Sequence, residues 1–203
     1  MSNITLYFAP MSSASPVGWA IQELGVDHEL VTIDLKGDAH KQARFLELNP
    51  MGQVPTLVVD GQAMFESSAC VILLGERFGV ARGLWPALEA PEHMVALTWM
   101  VWFAVTLGGE VRRCFHSGDY APEAMRNAPQ VAAGKQRYGE LLEILDAHLE
   151  GRDFMLGERF SLVDCYGGAS VWWSARALGV EAPPRVAAWC SRCTGRPASS
   201  IMG

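Results

Sequence analysis

Several features that would assign this chain to a particular class of protein are missing from its sequence. Its 203 residues carry a formal net charge of −6, and no run of Lys or Arg interrupts the acidic balance. A surface for nucleic acid or for an anionic membrane is therefore not expected. The first residues, MSNITLYF, lack the basic segment followed by an apolar one that a signal peptide has. We expect a cytoplasmic protein.

Cysteine is scarce and irregularly spaced. The sequence has five cysteines, an odd number, without the spacing of a disulfide framework. Without an export signal, they are expected to be reduced thiols. Cys190-Ser-Arg-Cys193 resembles half of a metal or redox site, but no further ligands stand at the usual spacing. Packing within an apolar terminal helix is the better interpretation, and no metal is predicted.

The chain also lacks an uncharged stretch of membrane-spanning length. The longest one, residues 94–109, has 16 residues, whereas a transmembrane helix needs about 20. It also contains two threonines and a terminal Gly-Gly pair. We expect this run to form a buried core helix and the protein to have no membrane partner.

The most informative stretch that is present covers residues 49–69, NPMGQVPTLVVDGQAMFESSA. A Pro-Met-Gly turn precedes a strand at residues 55–59, an Asp-Gly hairpin signal, a second strand at Gln62–Phe65 and a helix start at Glu66-Ser67. Pro55 heads a strand without an N–H to donate, which indicates an edge, a bend or a cis bond. The backbone of Val54 is then free to pair with an extended ligand.

Glu66 and Ser67 add a carboxylate, a hydroxyl and backbone N–H groups at a helix start, where anions and amines can be bound. An edge strand followed by an ordinary N-cap would account for the same residues. The functional interpretation is a surface for a peptide-like ligand that carries both an ammonium and a carboxylate group.

The pattern along the chain predicts two domains. Residues 1–80 follow the order β-α-β-α-β-β-α, with strands at Ile4–Phe8 and 29–35 and helices ending at Gly25 and Leu48, which implies a mixed sheet with packed helices. Residues 81–91 are broken by Gly and Pro and are predicted to be a linker. Residues 92–203 are predicted to be helical, with helices at 92–114, 130–149, 161–178 and 186–193. Ser161 and Asp164 form a possible capping box with Asp in place of Glu.

The motif Asn-Pro-x-Gly-Gln-Val-Pro-x-Leu, the Asp-Gly turn and Phe-Glu-Ser together resemble the glutathione-binding half of cytosolic glutathione transferases. Residues 37–41 and 45–46 are similar to the phi class and its bacterial relatives. The resemblance covers nearly the whole chain. It implies a thioredoxin-like α/β domain that binds glutathione and an all-α domain that supplies an apolar substrate pocket.

The resemblance also implies the roles of particular residues. Ser12 follows Pro10-Met11 at the spacing of the serine that stabilises the glutathione thiolate in the phi class, with Ser13 as the adjacent alternative and Tyr7 ranked third. The implied glutathione contacts are His40 and Lys41 for the glycyl carboxylate, Gln53, Val54 and Pro55 around the cysteinyl unit, and Glu66 and Ser67 for the γ-glutamyl group.

The fourth helix borders the electrophile pocket in this family. Its candidate residues are Trp99, Trp102, Phe103, Arg112, Arg113 and His116, most of the aromatic ones being expected in the core. The chain departs from the phi pattern at Ala39 and Met51, and its first helix lacks arginine.

The predicted function is a homodimeric, detoxifying transferase that conjugates glutathione, its co-substrate, to a small apolar electrophile. Peroxide reduction, dehalogenation or isomerisation with glutathione are alternatives within the same fold. A non-catalytic relative that binds partners or apolar ligands is another, because fold alone does not establish catalysis.

Overall fold

The protein divides into two compact units, Met1–Ala90 together with Arg196–Gly203, and Pro91–Gly195. The computed structural model describes residues 3–119 and 121–202. The sequence assigned residues 92–203 to a single helical domain, whereas the contacts place the last eight residues with the first unit.

The first unit contains one mixed sheet flanked by helices. The strand order is β2-β1-β3-β4, in which β1 pairs in parallel with β2 and antiparallel with β3, and β3 pairs antiparallel with β4. This is the predicted α/β arrangement. The elements are β1 (Ile4–Phe8), α1 (Ser15–Leu24), β2 (Glu29–Thr32), a 3₁₀ turn (Ala39–Lys41), α2 (Ala43–Leu46), β3 (Thr56–Val59), β4 (Gln62–Phe65), α3 (Ser67–Leu74), a π-helical turn (Gly75–Gly79) and a 3₁₀ turn (Val80–Arg82).

Local sequence explains where the best-predicted elements begin and end. Alternate residues of β1 are buried, as expected for a strand with one face in the core. α1 begins with Ser15-Pro16, since a proline in the first turn loses no helical hydrogen bond. It ends at Gly25, whose φ of 59° is the left-handed conformation that glycine adopts most easily.

Two predicted elements are shorter than expected. β2 stops at Thr32, and the Asp34 carboxylate accepts hydrogen bonds from the N–H groups of Lys36 and Gly37, which turns the chain away from the sheet. The helix predicted at residues 40–48 is interrupted by Gln42, whose ψ of 146° is extended. His40 and Lys41 therefore lie in a separate 3₁₀ turn and do not begin α2.

The chain end is anchored to α1. The guanidinium of Arg196 donates to both carboxylate oxygens of Glu23 at 2.7 and 2.6 Å, and Trp19 donates to the same carboxylate at 3.0 Å. A terminal 3₁₀ segment, Pro197–Met202, follows. A Cβ on Gly18 would lie 3.0 Å from Ile201, so the last residues pack closely on this helix.

The second unit is helical, as predicted. Its elements are α4 (Pro91–Val101), a π-helical segment (Trp102–Leu107), α5 (Gly108–Ser117), a 3₁₀ turn (Glu123–Met125), α6 (Ala128–His148), α7 (Leu162–Leu178) and α8 (Pro184–Thr194). The capping box at the start of α7 is confirmed, because the N–H of Ser161 donates to the Asp164 carboxylate at 2.9 Å.

The apolar run at residues 94–109 is not a fully buried core helix. Ala96, Met100 and Leu107 are buried on one side, whereas Met94, Val101 and Val105 are 73%, 54% and 61% exposed on the other. Apolar residues lie on all sides of this helix, but only one of those sides is buried. By length and composition alone, Pro91–Ser117 is long and apolar enough to cross a membrane, but helices of soluble proteins pass the same test.

Candidate functional site

The sheet register brings the predicted glutathione residues to one edge. Tyr7 in β1 lies opposite Thr56 in β3, and Thr56 lies opposite Phe65 in β4. Phe8 lies opposite Thr32 at the end of parallel β2. Consequently β1, β2 and β4 end, and β3 begins, at the same side of the sheet. The segments that contain Ser12 and Ser13, His40 and Lys41, Gln53 to Pro55, and Glu66 and Ser67 all lie directly beyond this edge.

Ser12 and Ser13 lie between β1 and α1 and have different partners. The Ser12 hydroxyl donates to the Ala9 carbonyl at 2.6 Å and accepts from the Ala14 N–H at 3.1 Å. The Ser13 hydroxyl donates to the Val54 carbonyl at 2.7 Å. Met11, just before them, has a φ of 55°, which is uncommon for a residue with a side chain.

The loop before β3 is built around Asn49, which is 1% exposed. Its side-chain amide donates to the Gln53 carbonyl at 2.8 Å and to the Thr56 hydroxyl at 3.1 Å, and its oxygen accepts from the Met51 N–H at 3.0 Å. The Val54–Pro55 bond is cis, one of the possibilities that the sequence left open.

The N–H of Val54 has no hydrogen-bond acceptor among the residues that the structure describes. Val54 is buried, with only 7% of its surface exposed, and buried backbone N–H groups almost always have a hydrogen-bond partner. An extended ligand at the sheet edge could supply the acceptor.

Glu66 joins β4 to α3 in a strained conformation. Its φ of 71° and ψ of 109° lie outside the regions that residues with a side chain normally occupy, and such strain costs about 1–3 kcal/mol and is common at functional sites. The side chain is exposed, and Ser67 begins α3.

Cys70, on the first turn of the same helix, is fully buried. Burial, together with the nearby charge of Glu66, raises the pKa of its thiol to about 12. It therefore stays protonated near neutral pH and is unsuited to act as a nucleophile at this edge.

His40 and Lys41 lie beside the turn that precedes Gln53. A Cβ on Gly52 would lie 3.2 Å from the His40 carbonyl oxygen, so the two backbones are in close contact. Lys41 pairs with Asp38 at 2.9 Å, and both side chains are largely exposed. The Lys41 ammonium holds the pKa of the Asp38 carboxyl below its usual value.

Tyr7, the third candidate for stabilising a thiolate, lies in β1 itself. Its ring packs edge to face against Phe45, with the centroids 5.7 Å apart. Both Ser12 and Ser13 lie beyond the strand, at the sheet edge.

In the helical unit, three of the predicted pocket residues form one aromatic cluster. Trp99, Trp102 and Phe103 have ring centroids 5.0 to 5.9 Å apart. Phe103 is 2% exposed and stacks on Trp189 at 6.1 Å. A Cβ on Gly167 would lie only 2.4 Å from the Phe103 ring, so this ring packs directly against the backbone of α7.

Arg112, Arg113 and His116 lie on the exposed side of α5 and do not join that cluster. Along a helix, His116 is roughly 20 Å from Trp102. The predicted pocket residues therefore form two separate groups, an aromatic one around the buried Phe103 and a polar one at the surface.

Sequence reasoning missed three residues of interest. Asn49 was included in the sequence motif without a role of its own, because a buried side-chain amide that orients the loop before β3 has no local sequence signal. Phe115 and Trp173 stack at the surface of the helical unit with ring centroids 5.2 Å apart. They come from different helices, so only the fold brings them together.

Metal ligands are not grouped in the part of the chain that the structure describes, where no cluster of three His, Cys, Asp or Glu side chains could hold an ion. All five cysteines are free thiols.

Comparison with known proteins identifies the family. The glutathione S-transferase N-terminal domain model matches residues 11–77, and the C-terminal domain model matches residues 90–197. Glutathione S-transferase 3 of Zea mays is 30% identical over 219 residues, which cover 98% of this chain and 92% of that protein.

Solved structures agree with this assignment. The theta class glutathione S-transferase of Xanthomonas axonopodis pv. citri, with glutathione bound, has a TM-score of 0.84 and 30% identity, covering 100% of this chain and 99% of that one. A sphingomonad glutathione S-transferase complexed with glutathione has a TM-score of 0.84 and 26% identity, covering 98% and 96%. The chain belongs to the glutathione S-transferase family.

Proposed function

We propose that this protein is a glutathione transferase that conjugates the glutathione thiolate to a small apolar electrophile in the cytoplasm. The observation that carries the proposal is the Val54 N–H, which has no acceptor among the described residues and lies at the same side of the sheet as Ser12 and the strained Glu66. A tripeptide with an ammonium, a thiol and two carboxylates matches the groups that converge there.

Each end of the tripeptide has a complementary group. The cysteinyl unit pairs with the backbone of Val54, as an added strand pairs with a sheet edge. Gln53 is exposed beside it. The Glu66 carboxylate pairs with the γ-glutamyl ammonium, and Ser67 with the N–H groups at the start of α3 binds its carboxylate. His40 and Lys41 bind the glycyl carboxylate.

Ser12 stabilises the thiolate without acting as a nucleophile. A free cysteine thiol has a pKa of about 8.5, and each unit by which binding lowers it requires about 1.4 kcal/mol of preferential interaction with the anion. Rotation about the Cβ–Oγ bond can direct the Ser12 proton from the Ala9 carbonyl to sulfur. Its oxygen can still accept from the Ala14 N–H.

The apolar electrophile is bound by the helical unit. Trp99, Trp102, Phe103, Arg112, Arg113 and His116 were predicted for this pocket. Because Phe103 is buried in the core, its role is to support the partly exposed rings of Trp99 and Trp102. Arg112 and His116 supply polar groups at the surface.

A second copy of the chain covers the exposed apolar side of α4. Met94 and Val101 of α4, together with Val105 of the following π-helical segment, are exposed apolar residues. A continuous exposed apolar patch on a protein surface marks an interaction site. Light scattering at micromolar concentration should give twice the 22.1 kDa mass of one chain. A mass near that of the single chain would contradict the homodimer.

Thermal unfolding tests the glutathione site directly. A ligand at 100 times its Kd stabilises the folded state by about 2.7 kcal/mol, and for a chain of this size each kcal/mol raises Tm by roughly 2–4 °C. Glutathione and S-hexylglutathione should both raise Tm by several degrees, whereas glycylglycine serves as a control without the γ-glutamyl and thiol groups. No shift with either glutathione ligand at millimolar concentration would sink the proposal.

The electrophile is then identified by following thiol consumption over a panel of haloarenes, epoxides, isothiocyanates and peroxides. Conjugation predicts a thioether product with haloarenes and epoxides and a dithiocarbamate with isothiocyanates. Formation of glutathione disulfide with peroxides alone would replace the transferase with a peroxidase of the same fold.

A further inference from the structure

Ser13 makes a hydrogen bond that its own loop does not require. α1 begins at Ser15 with Ala14 as its N-cap, and Ser12 already closes the turn before it by accepting from the Ala14 N–H. The exposed Ser13 instead donates to the Val54 carbonyl, 41 residues away in sequence, at 2.7 Å. This bond joins the start of α1 to the turn before β3.

The turn at residues 51–55 is otherwise held by hydrogen bonds from its immediate neighbours. Asn49 and Thr56 both donate to the Gln53 carbonyl, at 2.8 and 3.2 Å. The Gln53 carbonyl and the Val54 N–H belong to one planar peptide unit and point in opposite directions. Asn49 and Thr56 therefore fix the direction of the Val54 N–H.

No group within that segment holds the carbonyl of Val54. Among the described residues, the Ser13 hydroxyl is the one hydrogen-bond donor to this oxygen, and its bond is the one hydrogen bond that residues 51–55 receive from outside residues 49–56. The two backbone groups of Val54 are thus oriented by different residues, the N–H from within the loop and the carbonyl from the start of α1.

We propose that Ser13 is a positioning residue, which fixes the Val54 carbonyl for pairing with the cysteinyl N–H of glutathione and leaves the sulfur to Ser12. The proposal rests on the proposed function, since it concerns the same ligand. A carbonyl oxygen has two lone pairs, so it accepts from Ser13 and from the ligand together.

The two serines differ in what each would lose by turning to the sulfur. A serine hydroxyl has a single proton to donate. When Ser12 redirects its proton, only a local bond to Ala9 is lost. When Ser13 redirects its proton, the Val54 carbonyl is released, and the ligand loses part of its own binding surface.

This division of roles predicts that Ser13 acts on glutathione affinity and not on thiol ionisation. One neutral hydrogen bond contributes modestly, so its loss should weaken glutathione binding about three- to tenfold. The pKa of the bound thiol and the kcat at saturating glutathione should stay close to those of the parent.

The test compares Ser13→Thr with Ser13→Val in the full-length protein, because threonine and valine have the same shape and only threonine keeps the hydroxyl. Glutathione Kd is measured by calorimetry, kcat and KM by steady-state kinetics, and the bound thiol pKa by ultraviolet absorbance of the thiolate against pH. Ser12→Ala is the matched control and should change the thiol pKa more than Kd.

The proposal is supported if Ser13→Val raises the glutathione Kd and KM and leaves the pKa of the bound thiol unchanged, and if Ser13→Thr has the Kd and KM of the parent. Equal Kd values for the two Ser13 variants overturn it, as does a rise of the bound thiol pKa in Ser13→Val. If the parent binds no glutathione, the proposed function fails separately. Hydrogen exchange then still tests the Ser13–Val54 hydrogen bond. The amides around Val54 should exchange faster in Ser13→Val than in Ser13→Thr, and equal exchange rates would refute the proposal.

Discussion

The Asp164 carboxylate in the helical unit and the Val54 turn at the sheet edge are two polar sites with opposite hydrogen-bonding patterns. Asp164 is 0% exposed and accepts from Met155 N–H and Trp189 Nε1 at 2.8 Å each, and from Ser161 N–H and hydroxyl at 2.9 and 2.7 Å. Val54 is nearly as buried, but its N–H has no acceptor among the described residues.

The difference separates polar groups that stabilise the fold from those left for a ligand. A buried carboxylate with four donors has no capacity left for another molecule, and it joins the start of α7 to α8. At the sheet edge, by contrast, the Val54 N–H has no acceptor among the described residues. Met11 and Glu66 there have strained backbones, which the fold maintains at a cost. The predictions below test this separation.

The largest effect is expected from Asp164→Ala. Its removal leaves four buried donors without an acceptor, which should cost about 3–5 kcal/mol and lower Tm by roughly 8–15 °C. Glutathione KM measured well below Tm should not change. Asp153→Ala, at an exposed carboxylate in the preceding loop, is the control for calorimetry. A fall of under two degrees in the Tm of Asp164→Ala, or a raised glutathione KM, would contradict a purely structural role for this carboxylate.

The opposite behaviour is expected of Ser12→Ala. A hydrogen bond to a charged group is worth about 1.5–3 kcal/mol, so turnover should fall roughly tenfold to a hundredfold. Because the lost group favours the thiolate, the deficit should be largest near neutral pH and shrink at alkaline pH. The measurement is the pH dependence of kcat/KM, beside Tm. An unchanged pH profile would indicate that backbone N–H groups or Tyr7, and not Ser12, stabilise the thiolate.

A smaller effect, on acid stability, is expected from Asp146→Asn. Burial raises the pKa of Asp146, but hydrogen bonds from Arg185 and Val186 outweigh it, so the net pKa lies below its usual value. A carboxyl with a lowered folded pKa stabilises the protein above its unfolded pKa, about 3.9, and loses that contribution as pH falls through the folded value. The variant should melt a few degrees below the parent at pH 6.

The Tm difference between the two proteins should shrink as the pH falls below about 3.9, and Glu143→Gln, at an exposed carboxylate on the same helix, should match the parent throughout. A Tm difference between parent and Asp146→Asn that stays constant from pH 6 to pH 3 would contradict this role of the Asp146 charge.

Elements whose ends are encoded locally could be predicted from the sequence. β1 and β4 have the predicted bounds, α1 ends at Gly25, and the Asp164 capping box forms. The single helix predicted at residues 40–48 does not form. The spacing of its apolar residues gives no sign of the extended backbone at Gln42, which interrupts it. The likeness to the phi class stays a prediction, since a plant relative and a bacterial theta class structure are equally similar, at 30% identity.

The sequence motifs predicted a set of candidate residues whose segments the fold brings to one side of the sheet, but they did not predict the hydrogen bonds between those segments. Glu66 and Val54 were identified because their motif is contiguous in sequence. The bond from Ser13 to Val54 crosses 41 residues, and Phe115 and Trp173 come from different helices. The core position of Phe103 depends on Gly167, which leaves space for its ring. Contacts of this kind depend on how helices and strands pack together, and the spacing of apolar residues along the sequence does not predict that packing.

The smallest effect on stability is expected at a surface position, from Lys41→Gln. Lys41 pairs with Asp38 at 2.9 Å, but both side chains are more than 60% exposed, and exposed pairs contribute little to stability. Lys41→Gln should therefore leave Tm within about one degree of the parent. If Lys41 binds the glycyl carboxylate, the same variant should raise glutathione KM about two- to fivefold at low salt, and less at high salt because ions screen exposed charges. Arg44→Gln, an exposed cation on α2, is the control and should change neither quantity. Equal KM values for Lys41→Gln and the parent at low salt would indicate that Lys41 pairs only with Asp38 and that His40 binds the glycyl carboxylate.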